Sequence, residues 1–199
     1  MLYTLNEKKR NWQAYWAREN ARPIFSIILP KPGMEPTPAP RYLQAFEGGS
    51  KYEEVADQLA RWYESHLFLG DTIPYYALSF GADDFAAYTG SDLHLSEDGE
   101  TSWSEKTFSD LSHAKIAFDP NGKWWTKTAE FYHVLRKKLG DSIMIAAPTL
   151  SAGLDGLAAH FGVSELLYAL LDEPEMVIDV LAQVNQAFSD ALEAEKTPD

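Results

Sequence analysis

A chain of 199 residues, 45% hydrophobic and 13% aromatic, has the composition of a globular core and not of a disordered segment. Its formal charge of −13 and pI near 4.7 argue against nucleic-acid binding, which depends on clustered Lys and Arg. The absence of cysteine removes disulfides, thiolate metal sites and cysteine nucleophiles, and no apolar run approaches the ~18 residues of a membrane span. A cytoplasmic protein without nucleic-acid or membrane partners is expected.

In chain order, Thr4 and Glu7 have capping-box spacing ahead of a leading helix that carries Trp12, Tyr15 and Trp16 and ends near Asn20. Pro23 then introduces Ile24–Leu29, a continuous apolar run that reads as a strand buried on both faces. Residues 30–49 hold five prolines and three glycines, so a loop or extended arm is expected. Ser50 and Glu53 form a second capping box for a helix through Val55, Leu59, Trp62, His66 and Leu67, stopped by Gly70.

Ile73–Phe80 is the second strand, rich in aromatic residues. The segment 81–90 (GADDFAAYTG) reads as a short helix between glycines. Residues 91–118 read as a polar excursion, more hairpin than catalytic element, turning at Asp98-Gly99. After a turn at Asn121-Gly122, Trp124, Thr128, Phe131, Leu135 and Leu139 mark a helix ending at Gly140. Its last turn holds the compact basic cluster Arg136–Lys138, where cations suit the macrodipole.

Ile143–Leu150 is the third strand, followed by a broken helix. Asp172 and Glu175 have the spacing of a third capping box, with Pro174 where no amide donor is missed. In the final helix Val177, Val180, Leu181, Val184, Phe188, Ala191 and Leu192 share one face, leaving Asp179, Gln183 and Asp190 on the wet side.

Three apolar strands separated by helices favour an α/β class with parallel strands, since parallel neighbours need a crossover. In such a domain the loops after the strands form the binding face. That rule selects Lys31, Ser79, Asp83, Asp84, Thr149 and Ser151. Asp83 and Asp84 are the weak catalytic candidates, as polar anchor or proton acceptor, against a capping role at the helix start. Ser79, Thr149, Ser151 and Lys31 are candidate substrate contacts, and turn formation competes for Thr149 and Ser151. His66, His133 and His160 sit near apolar helical positions and form no HxxxH or HExxH pattern, so they read as structural. No metal ligand is assigned.

The order RPIFSIILP, Pro/Gly-rich loop, YEEVADQLARWYE, ALSFGADDFAAYTG, an excursion with Trp103, then IAAPTLSAGLDGLAAHFGVSELLYALLDEPEMVIDVL resembles the uroporphyrinogen decarboxylase-like superfamily across nearly the whole chain. The resemblance implies the N-terminal part of a (β/α)₈ TIM barrel, as one partial domain over residues 1–199 with the C-terminal half absent. A complete barrel of this kind needs ~250 residues.

The superfamily includes true decarboxylases and zinc-dependent methyltransferases that pass methyl groups between corrinoids and thiols. The decarboxylases carry an R-Q-A-G-R-Y motif, which only Arg41 and Tyr42 echo, and an aspartate at the second strand end, where Phe80 stands. The resemblance therefore implies a methyltransferase-type protein acting on a corrinoid or a small methylated or carboxylated substrate. Zinc and corrinoid belong to the full-length relatives, whose metal ligands lie largely in the C-terminal half, so this chain alone is expected to be inactive. The alternatives are a tetrapyrrole decarboxylase, a non-catalytic fragment that pairs into a symmetric homodimer to cover open strand edges, and a self-contained α/β ligand-binding module, which predicts a closed pocket and more than three strands.

Overall fold

The computed structural model describes residues 3–41 and 43–195; Tyr42 lies outside them. The fold is mixed α/β. Seven α-helices and six short strands lie among the described residues, and the strands pair into three two-stranded sheets. The chain divides into two compact units: Met1–Arg41 with Gly49–Ala77 and Val134–Ala146, and Tyr42–Gly48 with Leu78–His133 and Ala147–Asp199.

The first unit opens with α1 (Leu5–Trp16), whose Thr4–Glu7 capping box forms as expected. β1 (Ser26–Pro30) pairs antiparallel with β2 (His66–Gly70), in register from Ser26 opposite Gly70 to Pro30 opposite His66. This corrects two expectations. Helix α2 (Ser50–Ser65) ends before His66, and HLFLG, which also fits helical spacing, is drawn into a strand by its pairing with β1. β1 itself is exposed throughout, Ile27, Ile28 and Leu29 by 44–47%. A two-stranded sheet cannot bury its own faces.

The expected Ser50–Glu53 box is also absent. Ser50 is already helical, and Gly49, at φ +60°, takes the N-cap position with no side-chain cap. β3 (Tyr75–Ala77) pairs with β6 (Met144–Ala146) in parallel, as the crossover argument requires. Both strands are shorter than the apolar runs that contain them.

Asp71 is the polar hub of this unit. It is fully buried, and its carboxylate accepts two hydrogen bonds from Arg22 at 2.8 Å, one from Asn11 and one from the Phe25 amide. The Arg22 guanidinium holds this carboxyl well below the usual carboxylate range and is itself pushed up in turn.

The second unit contains α3 (Asp84–Tyr88) and the β4 (Leu93–Leu95) and β5 (Ser102–Ser104) hairpin, which turns near Asp98-Gly99 as expected. α4 (Lys123–Leu139) follows the Asn121-Gly122 turn, and its residues up to His133 belong here. The broken helix is α5 (Gly153–Phe161) and α6 (Val163–Asp172), bent by 111°. Gly162 lies at the bend with φ +108°, a conformation that side chains rarely adopt.

α7 (Pro174–Glu195) packs Val177, Val180, Val184 and Ala187 into a core with Phe85, Leu157 and Phe161, and also buries Ala191. Leu192 is 41% exposed, whereas Gln183 accepts a hydrogen bond from the Ile116 amide and is not simply wet. The Asp172–Glu175 box does not form. Burial of Leu166 and Ala169 carries α6 through Asp172, leaving Glu173 alone before Pro174. No single helix among the described residues is long and apolar enough to cross a membrane.

Candidate functional site

Within the second unit, the segment Leu78–Asp84 is tied down by its own polar groups. Asp84 is fully buried; it accepts a hydrogen bond from Ser79 Oγ at 2.8 Å and one from the Phe80 amide at 3.0 Å. Burial pushes its carboxyl up to about 7, against the two hydrogen bonds, which favour the charged form. Ser79 Oγ also accepts from the Gly81 amide at 3.0 Å. Gly81 has φ +145°, and a Cβ there would collide with Ser102 Oγ, which donates to the Phe80 carbonyl at 2.7 Å.

Asp83 faces the other way. Its Oδ2 accepts from the Ser104 amide at 2.9 Å and from Ser104 Oγ at 3.0 Å, so strand β5 holds it. Neither aspartate caps α3, whose start carries no side-chain cap hydrogen bond. Asp84 bonds the segment just before it instead, and Asp83 reaches Ser104 with one oxygen, Oδ2. Asp83, Ser104, Lys106, Ser151 and Asp155 line one open pocket of about 470 Å³ beside α5. Lys106 makes a 2.6 Å ion pair with Glu165 at its rim.

Behind the pocket, His160 is buried between two hydroxyls, Thr89 at Nε2 and Thr107 at Nδ1, each 2.8 Å away. With the Thr89 proton given to the Phe85 carbonyl, the tautomer protonated on Nε2 satisfies every partner. Burial pulls the imidazole down to about 4, so it is neutral at pH 7. Its ring lies parallel to Phe108, at 7°. This is a satisfied structural histidine, as its apolar setting in the sequence suggested, with no ring nitrogen left for a substrate or metal.

The structure brings Asp83 and Ser151 together in one pocket wall and places Ser79 and Asp84 in the supporting lock. Thr149 is exposed and does not line the pocket. Lys31 belongs to the first unit, where Nζ donates to the Glu64 carbonyl at the end of α2 and the side chain lines a different cleft with Lys8 and His66. Ser104, Lys106 and Asp155 are pocket residues that sequence reasoning missed. The first two lie in the excursion set aside as a hairpin, and Asp155 stands in SAGLDG, one turn beyond the selected Ser151. Arranged this way, the pocket offers carboxylates, hydroxyls and one ammonium: hydrogen bonding and charge pairing for a small polar molecule.

No group of three His, Cys, Asp or Glu side chains able to hold a metal ion gathers among the described residues. Comparison with family models, curated proteins and solved structures gives no match.

Proposed function

We propose that this chain is the N-terminal part of a uroporphyrinogen decarboxylase-like (β/α)₈ protein of the methyltransferase type, and that its second-unit pocket receives a small methylated substrate. The observation that carries this reading is the shared wall of Asp83 and Ser151. The segments that supply them follow, in the chain, β3 and β6, the parallel strand pair. Residues just after parallel strands are where α/β enzymes bind ligands.

Charge and size narrow the substrate. Two carboxylates, Asp83 and Asp155, suit a methylated ammonium group, and an acid at the other end of the molecule would have to share Lys106 with Glu165 at the rim. A pocket of about 470 Å³ is small for a corrinoid or a tetrapyrrole. In this reading the chain's own residues bind and orient the substrate, and the metal is not theirs to hold. Calorimetric titration with glycine betaine, followed by methyl transfer to a corrinoid acceptor, tests it. Saturable binding that Asp83→Asn weakens about tenfold is expected; tetrapyrrole binding in its place, or neither binding nor transfer, overturns the reading.

A second reading, a non-catalytic chain that pairs with itself, is favoured by α6. Val163, Leu167 and Leu171 recur every four residues and are 67%, 60% and 81% exposed, an apolar stripe of the kind that associates. Sedimentation equilibrium would show a dimer that Leu167→Glu dissociates; a stable monomer excludes it.

A further inference from the structure

The first unit holds a cavity of about 870 Å³, in the range of small-molecule sites. Its walls come from several elements: Trp12 and Trp16 of α1, Trp62 of α2, Tyr75 and Tyr76 of β3, and Met144 of β6. The Trp12 and Trp16 rings stack with centroids 6.4 Å apart at 27°. Trp12 is fixed from behind, its indole N–H donating to the Asp71 carbonyl at 2.8 Å, on the residue that Arg22 and Asn11 hold in place. Trp62 is braced edge-on against Phe68, 5.1 Å away. Trp12 and Trp62 are thus aromatic faces held in place by contacts outside the cavity.

Ordinary core packing would bury such residues, yet Trp16, Tyr75 and Met144 are 75%, 59% and 49% exposed. Tyr75 and Met144 are cross-strand partners, so two neighbouring strands present this surface together. None of the described residues that line the cavity is charged. The Thr72 hydroxyl in its wall is spent, accepting from the Ile27 amide and donating to the Leu69 carbonyl, each at 2.7 Å. A charged ligand would lose its hydration here without gaining a counter-charge. A flat neutral one would gain stacking and apolar contact.

We propose that this cavity is a binding site for a neutral, flat, ring-bearing small molecule that stacks against the Trp12–Trp16 pair. It is separate from the polar pocket of the second unit and does not rest on the function proposed for it.

The probe is N-phenyl-1-naphthylamine, a neutral flat fluorophore, titrated into the full chain while probe emission and energy transfer from tryptophan are recorded. Saturable binding of one probe per chain is expected, weakened at least about tenfold by Met144→Glu. Trp16→Lys changes the most exposed of the three tryptophans and is expected to act in the same direction, so the proposal stays falsifiable if Met144→Glu fails to fold by circular dichroism. Leu167→Glu, on the apolar stripe of α6, is the control and leaves the titration unchanged. Absence of saturable binding overturns the proposal. So does binding that survives Trp16→Lys, or binding that disappears with Leu167→Glu.

Discussion

Ser79 Oγ lies 2.8 Å from Asp84 Oδ2, and this bond closes a loop around a carboxyl with no exposed surface. The same hydroxyl accepts from the Gly81 amide and stands 3.1 Å from the Gly81 carbonyl. If Asp84 is protonated it can donate to Ser79, which then donates to Gly81. The lock therefore suits a neutral acid as well as a charged one.

Asp84→Asn tests that point. The folded carboxyl titrates at about 7, above its ordinary value. The folded state holds the proton more tightly, so this contribution to stability is complete below the ordinary carboxylate range and is lost as pH rises through 7. Urea unfolding at pH 5 and pH 8 should show a loss on raising pH that is smaller in Asp84→Asn by about 2 kcal/mol. Equal pH dependence in both proteins would mean that Asp84 is ionised throughout.

His160 has the opposite sign. Its folded imidazole titrates at about 4, below its ordinary value, so the unfolded chain binds the proton more readily. Stability is complete above about pH 6.5 and falls as pH drops toward 4. Between pH 7 and pH 4.5, His160→Gln should lack about 2 kcal/mol of the acid destabilisation seen in the parent. Chemical denaturation at the two pH values measures it.

Asp71→Asn should be the most destabilising of the first-unit changes. It leaves Arg22 without its partner and puts an amide where two guanidinium donors, an Asn11 amide and a backbone N–H converge. A loss of about 2–4 kcal/mol in unfolding at pH 7 is expected. Because the folded carboxyl is held below the ordinary range, its contribution is present above that range and is lost as pH falls. The parent and the variant should therefore converge in acid.

Gly81→Ala should cost about 1–3 kcal/mol, since alanine is strained at φ +145° and its methyl would meet Ser102 Oγ. Pairing it with Ser102→Gly removes the collision but not the backbone strain. Partial recovery of the thermal midpoint in the double variant separates the two causes.

The Thr4–Glu7 cap and the Asp98-Gly99 turn were legible because their partners stand two or three residues apart. HLFLG was not. Its spacing fits a helix as well as a strand, and the pairing that decides is with β1, about forty residues earlier in the chain. The Asp83-Asp84 pair is the sharpest case at the site. Two identical side chains in adjacent positions read alike, yet one meets Ser104 at the pocket and the other is sealed behind Ser79.

The sequence by itself determined the mixed α/β class, the approximate position of most helices, the lack of thiol chemistry and the set of polar residues from which a site can be built. Periodicity, capping and turn chemistry act over three or four residues, so spacing alone records them. Only the tertiary structure decided which acid is buried, that His160 is spent between Thr89 and Thr107, and that Ser104 and Lys106 join Asp83 and Ser151. Burial and long-range hydrogen bonding depend on groups brought together from tens of residues apart, and desolvation, which sets the titration of Asp84 and His160, exists only once they have met.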